Sequence, residues 1–260
     1  MKLLNTGATN AKILKSQTGT EFKIASLSLY PNNIICAGAK AAGCMDLCLK
    51  DSGFSEVFKS VNIARKKKTD FYMTDPKEFL QQLRKEIAAF IRKCERESVK
   101  ACFRLNTISD INWIHHEIPQ EFSSAFFYDY TKIVKTINTG VDNYRKIFSY
   151  SGEPKYQGQV DQALKTDFPI AVVFRDKIPV GESFLGREII NGDKSDLVNT
   201  RSFNKICGLT LKGKANKKQT GMFIVEPWQI VSPRQCTGSI PVNCRQQDLA
   251  TAGKSQKVFA

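Results

Sequence analysis

"FPIAVVFRD", residues 168–176, decides the fold class. Its apolar run from Ile170 to Phe174 lies between a proline and an Arg-Asp pair and shows no alternation of polar and apolar types. A strand wetted on one face alternates; a strand covered on both faces does not, and cover on both faces is typical of parallel sheets flanked by helices. Runs of the same kind recur on either side: "KACFRLNTISD" (100–110), "SAFFYDYTK" (124–132), "RKIFSYSGEP" (145–154), "REIINGD" (187–193) and "KICGLTLKG" (205–213). The class expected is α/β.

Working outward, "TDPKEFLQQLRKEIAAFIRKCERE" (74–97) predicts a helix, with Asp75 as N-cap, Pro76 as first helical residue and Glu78 as capping partner. Phe79, Leu80, Leu83, Ile87, Phe90 and Ile91 recur at helical spacing. "YQGQVDQALKT" (156–166) is the best second helix, while several other connectors look too short or too polar for one. A partial (β/α) barrel is therefore expected rather than a closed eight-fold one. Upstream, "TEFKIASLSLYP" (20–31) reads as a strand, and its apolar phase shift at Ala25 and Ser26 suggests a bulge. Downstream, "LKGKANKKQTG" (211–221) predicts a basic β-hairpin carrying Lys212, Lys214, Lys217 and Lys218. One α/β domain over 1–230 is expected, with 231–260 a polar, partly mobile extension.

The chain has 260 residues, 39 basic against 25 acidic, for a net charge of +14. That surplus attracts polyanions, so nucleic acid or a phosphorylated nucleotide is the expected partner; a lysine-rich surface that merely keeps the protein soluble explains the charge equally well. No apolar run reaches the roughly 20 residues of a membrane span, and the opening "MKLLNTGATNAKILKSQ" lacks the apolar centre of a secretory signal. A cytoplasmic location is expected, with no membrane partner.

In a reducing compartment, clustered thiols serve metals or redox chemistry more often than disulfides. "CAGAKAAGCMDLC" (36–48) places Cys36, Cys44 and Cys48 in one short loop that directly follows the first long strand. Cys44 and Cys48, four apart, would share a face if the loop made a turn of helix. Structural zinc takes four ligands, so a zinc site would need a distant fourth from Cys102, His115, His116, Cys236 or Cys244. A four-iron cluster can be held by three thiolates, leaving one iron open. Three unligated cysteines are the plain alternative. Cys94, Cys102 and Cys207 sit in apolar surroundings and read as buried, inert thiols, and the Cys236–Cys244 pair reads as coincidence.

In parallel α/β folds the chemistry collects at the carboxyl ends of strands. Those ends here offer Arg104, Asn106, Ser109 and Asp110; Asp129, Tyr130 and Lys132; Ser149 and Ser151; then Asp193 and Asp196. Each has a plain reading as a cap or turn residue. Together with the thiols they describe a metal or cluster site at the mouth of the sheet.

Over roughly residues 35–225 the chain resembles the phage gene product 88-like family, which is distantly similar to radical S-adenosylmethionine enzymes. The resemblance rests on "CAGAKAAGCMDLC", "FRLNTISDINW", "FFYDYTK", "KIFSYSGEP", "IAVVFRDKIP" and "INGDKSDL" followed by "GLTLKGKANKKQTGMFIV", in that order. It implies a radical-enzyme-like partial barrel with Cys36, Cys44 and Cys48 in the place of the 4Fe-4S cluster ligands, and S-adenosylmethionine as a candidate second cofactor. The gaps between the cysteines, seven and three residues, differ from the radical-enzyme pattern of three and two.

The expectation is an iron-sulfur enzyme that modifies a nucleotide or nucleic acid, with Asn106, Asp110, Asp129, Lys132 and Ser151 on the substrate side. Its rival is a basic nucleic-acid-binding protein with a structural metal or none, using Arg65 to Lys68 and the four hairpin lysines. A third reading is a metal-dependent hydrolase built on Asp110, Asp129, Asp193 and Asp196.

Overall fold

A computed structural model describes residues 1–6, 11–45, 47–51, 54–213, 220–226 and 229–230. The apolar runs become the strands of one 10-stranded sheet: β1 Leu4–Asn5, β2 Phe22–Leu27, β3 Lys100–Arg104, β4 Phe126–Thr131, β5 Tyr144–Ser149, β6 Ile170–Phe174, β7 Ser183–Phe184, β8 Arg187–Asn191, β9 Ile206–Thr210 and β10 Ile224–Val225. Their order is β1-β2-β3-β4-β5-β6-β9-β8-β7, with β10 on β6. Pairings between β2 and β9 are parallel, and only the two-residue edge strands β1 and β7 run antiparallel to their neighbours. The sheet stays open and does not close into a barrel. Edge strands this short leave few unpaired backbone groups for another strand to extend.

The helices are α1 Ala11–Gln17, α2 Phe54–Val57, α3 Lys59–Thr74, α4 Pro76–Arg96, α5 Ile118–Glu121, α6 Gln157–Leu164 and α7 Asp196–Asn199. α4 starts as its capping signal predicts, with the Asp75 carboxylate accepting from Glu78 N at 3.0 Å. Phe79, Leu83, Ile87, Phe90 and Cys94 are buried, and they pack on Phe103 and Phe127. Along the sheet this core continues into the one under α6, around Phe148, Val160, Val172 and Phe174. The opposite face carries Ile24, Cys102 and Tyr128 beneath Ile13 of α1 and Leu197 of α7. Successive strand residues thus enter different cores, which is why the runs do not alternate in polarity.

Two expectations are corrected, and one helix is unannounced by the sequence pattern. β2 holds continuous register with β3 from Phe22↔Lys100 to Ser26↔Arg104, so there is no bulge; its phase shift reflects burial on both faces. β9 and β10 do not pair as the arms of a basic hairpin: β10 pairs in parallel with β6 on the flank opposite β9, and residues 214–219 lie outside the described residues. The unannounced helix is α3, which contains the basic run 65–68 and has no apolar periodicity: Ile63 is 54% exposed while Lys68 is buried.

The β4–β5 connector holds only a 3-10 turn, Val134–Thr136, and the β7–β8 hairpin with α7 occupies the β6-to-β9 crossover. Among the described residues no helix is long and apolar enough to cross a membrane.

Candidate functional site

The carboxyl ends of the parallel strands open onto one cavity of about 1110 Å³. Ser26 and Ser28 enter it from the end of β2, Arg104 and Asn106 from β3, Tyr130 and Lys132 from β4. Ser149 of β5, Val173 of β6 and Leu209 of β9 continue the wall. Leu49, Val57, Phe58 and Val61, from the α2–α3 region, form an apolar side. The volume is slightly above the roughly 300–1,000 Å³ usual for small-molecule sites.

All three thiols of the loop line this cavity: Cys36, Cys44 and Cys48. Residues 36–44 are wound into successive turns by Ala39 N to Cys36 O (2.9 Å), Ala42 N to Gly38 O (3.1 Å) and Cys44 N to Ala39 O (3.1 Å). The expected turn of helix carrying Cys44 and Cys48 is absent, since both lie in irregular chain. Gly38 seats the loop: a Cβ there would come within 2.8 Å of Lys132 Cβ. The Cys36 thiol donates to Ile108 O at 3.5 Å. Burial, then the neighbouring charges of Cys48, Asp110 and Cys44, push it up to about 12. The donor chemistry suits iron or zinc. Among the described residues, however, no three His, Cys, Asp or Glu side chains stand in metal-holding geometry, so the loop as placed is not a ligand set.

The five residues expected on the substrate side divide. Asp110 and Lys132 line the cavity, where Asp110 Oδ2 accepts from Lys132 N at 2.8 Å and Lys132 Nζ lies 4.7 Å from the Phe223 ring centre. Burial raises the Asp110 carboxyl above its usual range. Asn106 also lines the cavity, yet its amide is used within its own loop: Nδ2 donates to Ile111 O and Asp129 Oδ2, and Oδ1 accepts from Ser109 Oγ and Ile111 N. Asp129 does not reach the cavity. Fully buried, it accepts from Asn106 N at 2.6 Å and Tyr144 OH at 2.9 Å, and burial raises it to about 7. Ser151 is also away from the cavity, at 0% exposure, where it accepts from Glu153 N. These last two residues shape loops.

The hydrolase reading is overturned, because the four aspartates serve four separate purposes. Asp193 accepts from Thr210 and Lys212, at 2.6 and 2.7 Å to the side chains, and Asp196 pairs with Arg104 and accepts from Tyr130 OH, both at 2.7 Å. Asp110 and Asp129 hold the loops already described. Of the expected phosphate-contacting lysines, Lys212 lines the cavity, and Lys214, Lys217 and Lys218 lie outside the described residues. Lys68 is buried and donates to Leu3 O at 2.6 Å, so of the run Arg65–Lys68 it is Lys66 and Lys67 that are exposed.

Sequence reasoning missed Ser26, Ser28, Asn5 and Lys68 as cavity residues. The signal for the serines was present in "ASLSL" (25–29), where hydroxyls alternate with leucines on the strand that leads into the thiol loop.

Fold and cavity together define an open, mostly parallel α/β protein with a thiol-lined chamber at the carboxyl ends of its strands. Over residues 2–225 the chain matches the family model described as Gene product 88, and it belongs to that phage gene-product family. No curated protein and no solved structure matches it.

Proposed function

We propose that the chain is an iron-sulfur protein, similar to radical S-adenosylmethionine enzymes, that modifies a nucleotide or nucleic acid at the cavity. One observation carries the reading: three thiols of a single loop share a chamber with the carboxyl ends of six strands. Cys36, Cys44 and Cys48 would have to draw together to hold a cluster, which would then supply an iron position open to a substrate or to S-adenosylmethionine. The other roles belong to the chain. Asn106 and Asp129 fix the 106–111 loop, which sets Asp110 against the end of β4. Lys132 brings a cation to the thiol side of the chamber. The rival reading, a basic nucleic-acid-binding protein, is supported by the net charge of +14 alone.

The test is iron, sulfide and zinc analysis of protein purified or reconstituted without oxygen. The expected sample is brown, with broad absorbance near about 400 nm, and Cys44→Ala loses both colour and iron. A colourless preparation without iron after reconstitution overturns the proposal.

A further inference from the structure

The end of the cavity bounded by β1, β2 and β3 contains a row of polar side chains that the thiol chemistry does not use. Asn5 is the register partner of Ser26, and Ser26 is the partner of Arg104, so the three stand side by side across three strands. All three line the cavity, as do Ser28 and Thr107 just beyond. Thr107 N donates to Leu27 O at 3.2 Å, which keeps the two strand ends together past the ladder.

Among the described residues, two polar atoms here lack partners. Arg104, only 7% exposed, uses Nη1 on Asp196, but its Nε has no hydrogen bond to a described residue; the Thr107 hydroxyl has none either. A buried donor without a partner costs about 1–3 kcal/mol. Both side chains line the cavity, where an acceptor on a bound molecule would relieve that cost.

Charge indicates which acceptor. The cavity is lined by Arg65, Lys68, Arg104, Lys132 and Lys212 against Asp110 and Asp193. Asp193 is occupied by Lys212 and Thr210, and Asp110 by Lys132 N. The surplus is cationic even with Asp196 set against Arg104, and a guanidinium edge beside hydroxyls matches the oxygens of a phosphate or carboxylate.

We infer that Ser26, Arg104 and Thr107, with Asn5 and Ser28 at the margin, form a subsite for one oxyanion group, phosphate or carboxylate, of the molecule that occupies the cavity. The apolar side formed by Val57, Phe58 and Val61 then receives the rest of that molecule. The subsite depends on the cavity and not on any metal, so it stands or falls separately from the iron-sulfur proposal.

The experiment is thermal unfolding and calorimetric titration of the metal-free full chain with inorganic phosphate, with acetate as a second arm and chloride as the ionic-strength control. Saturable stabilisation by phosphate alone identifies a phosphate site, and by acetate alone a carboxylate site. Thr107→Val removes an unpartnered hydroxyl at little cost to folding, and Ser26→Ala removes its neighbour. Each should weaken binding about tenfold, the size of one hydrogen bond to a charged group. Lys93→Ala, on the far side of α4, should change nothing. Shifts no larger than those from chloride, or equal binding by wild type, Thr107→Val and Ser26→Ala, would overturn the subsite.

Discussion

Arg104 of β3 and Asp196 of α7 form an ion pair, Nη1 to Oδ2 at 2.7 Å, in which both side chains are less than a tenth exposed. The Tyr130 hydroxyl adds a 2.7 Å bond to the other carboxylate oxygen, and Asp196 N donates to Ser16 Oγ of α1 at 2.8 Å. One residue, through its carboxylate and its backbone N–H, therefore joins the sheet to both helices on that face. Removing one member of a buried pair leaves the other uncompensated and costs about 3–5 kcal/mol. Asp196→Asn should lower the urea midpoint accordingly, and Arg104→Met combined with Asp196→Leu should recover much of the loss. A midpoint unchanged in Asp196→Asn would show that the pair contributes no stability.

Asp129 gives the fold an unusual pH response. Burial raises its carboxyl from 3.8 to about 7, so between those values the unfolded chain has released a proton that the folded chain retains. This contribution to stability is complete below about pH 4 and declines as pH rises to about 7. Asp129→Asn, which keeps an oxygen for Asn106 N, should flatten that decline in unfolding free energy measured across pH 4–8. An unchanged slope in the variant would assign the pH response to other groups.

Cys36 should be a poor nucleophile in the native, metal-free chain. With its thiol at about 12, about one molecule in ten thousand carries the thiolate at pH 8. Peptide mapping after a short iodoacetamide pulse should find Cys36 almost unlabelled in native protein and fully labelled in urea. Rapid native labelling would mean that the loop opens far more often than its turns imply.

Gly38 is where the thiol loop meets the end of β4, and a methyl group there would be 2.8 Å from Lys132 Cβ and 3.5 Å from Lys132 O. Gly38→Ala should cost about 1–3 kcal/mol through overpacking. Because the loop must move away from Lys132, Cys36 should also become easier to alkylate. A variant with native stability and native labelling would show that the contact is slack.

The parallel sheet was legible in the sequence because both-face burial produces unbroken apolar runs, and the start of α4 was legible because Asp75, Pro76 and Glu78 form a local signal. The grouping of Cys36, Cys44 and Cys48 on one cavity followed from their closeness in one loop. Asp129 was misplaced for the same reason that the sheet was visible. A strand buried on both faces gives no polarity cue to which side a residue faces, and Asp129 points away from the cavity while Tyr130 enters it. α3 was hidden because it presents no apolar stripe; Lys68 and Thr69 are its buried residues, fixed by bonds to Leu3 O and to Tyr30 N and O. The position of β10 depends on contact between residues about fifty apart, which no short pattern encodes.

The placement of β9 between β6 and β8 has a consequence for synthesis. β2 to β6 can each dock on the strand made just before, but β8 leaves the ribosome before β9, the strand that must separate it from β6. Until residues 206–210 emerge, the greasy Ile170–Phe174 edge has no native partner on that side, and the newly made β7–β8 hairpin is the nearest wrong one. The stage at which β8 has left the exit tunnel and residues 206–210 are still inside it should therefore be the interval when a nascent chain most needs a holdase.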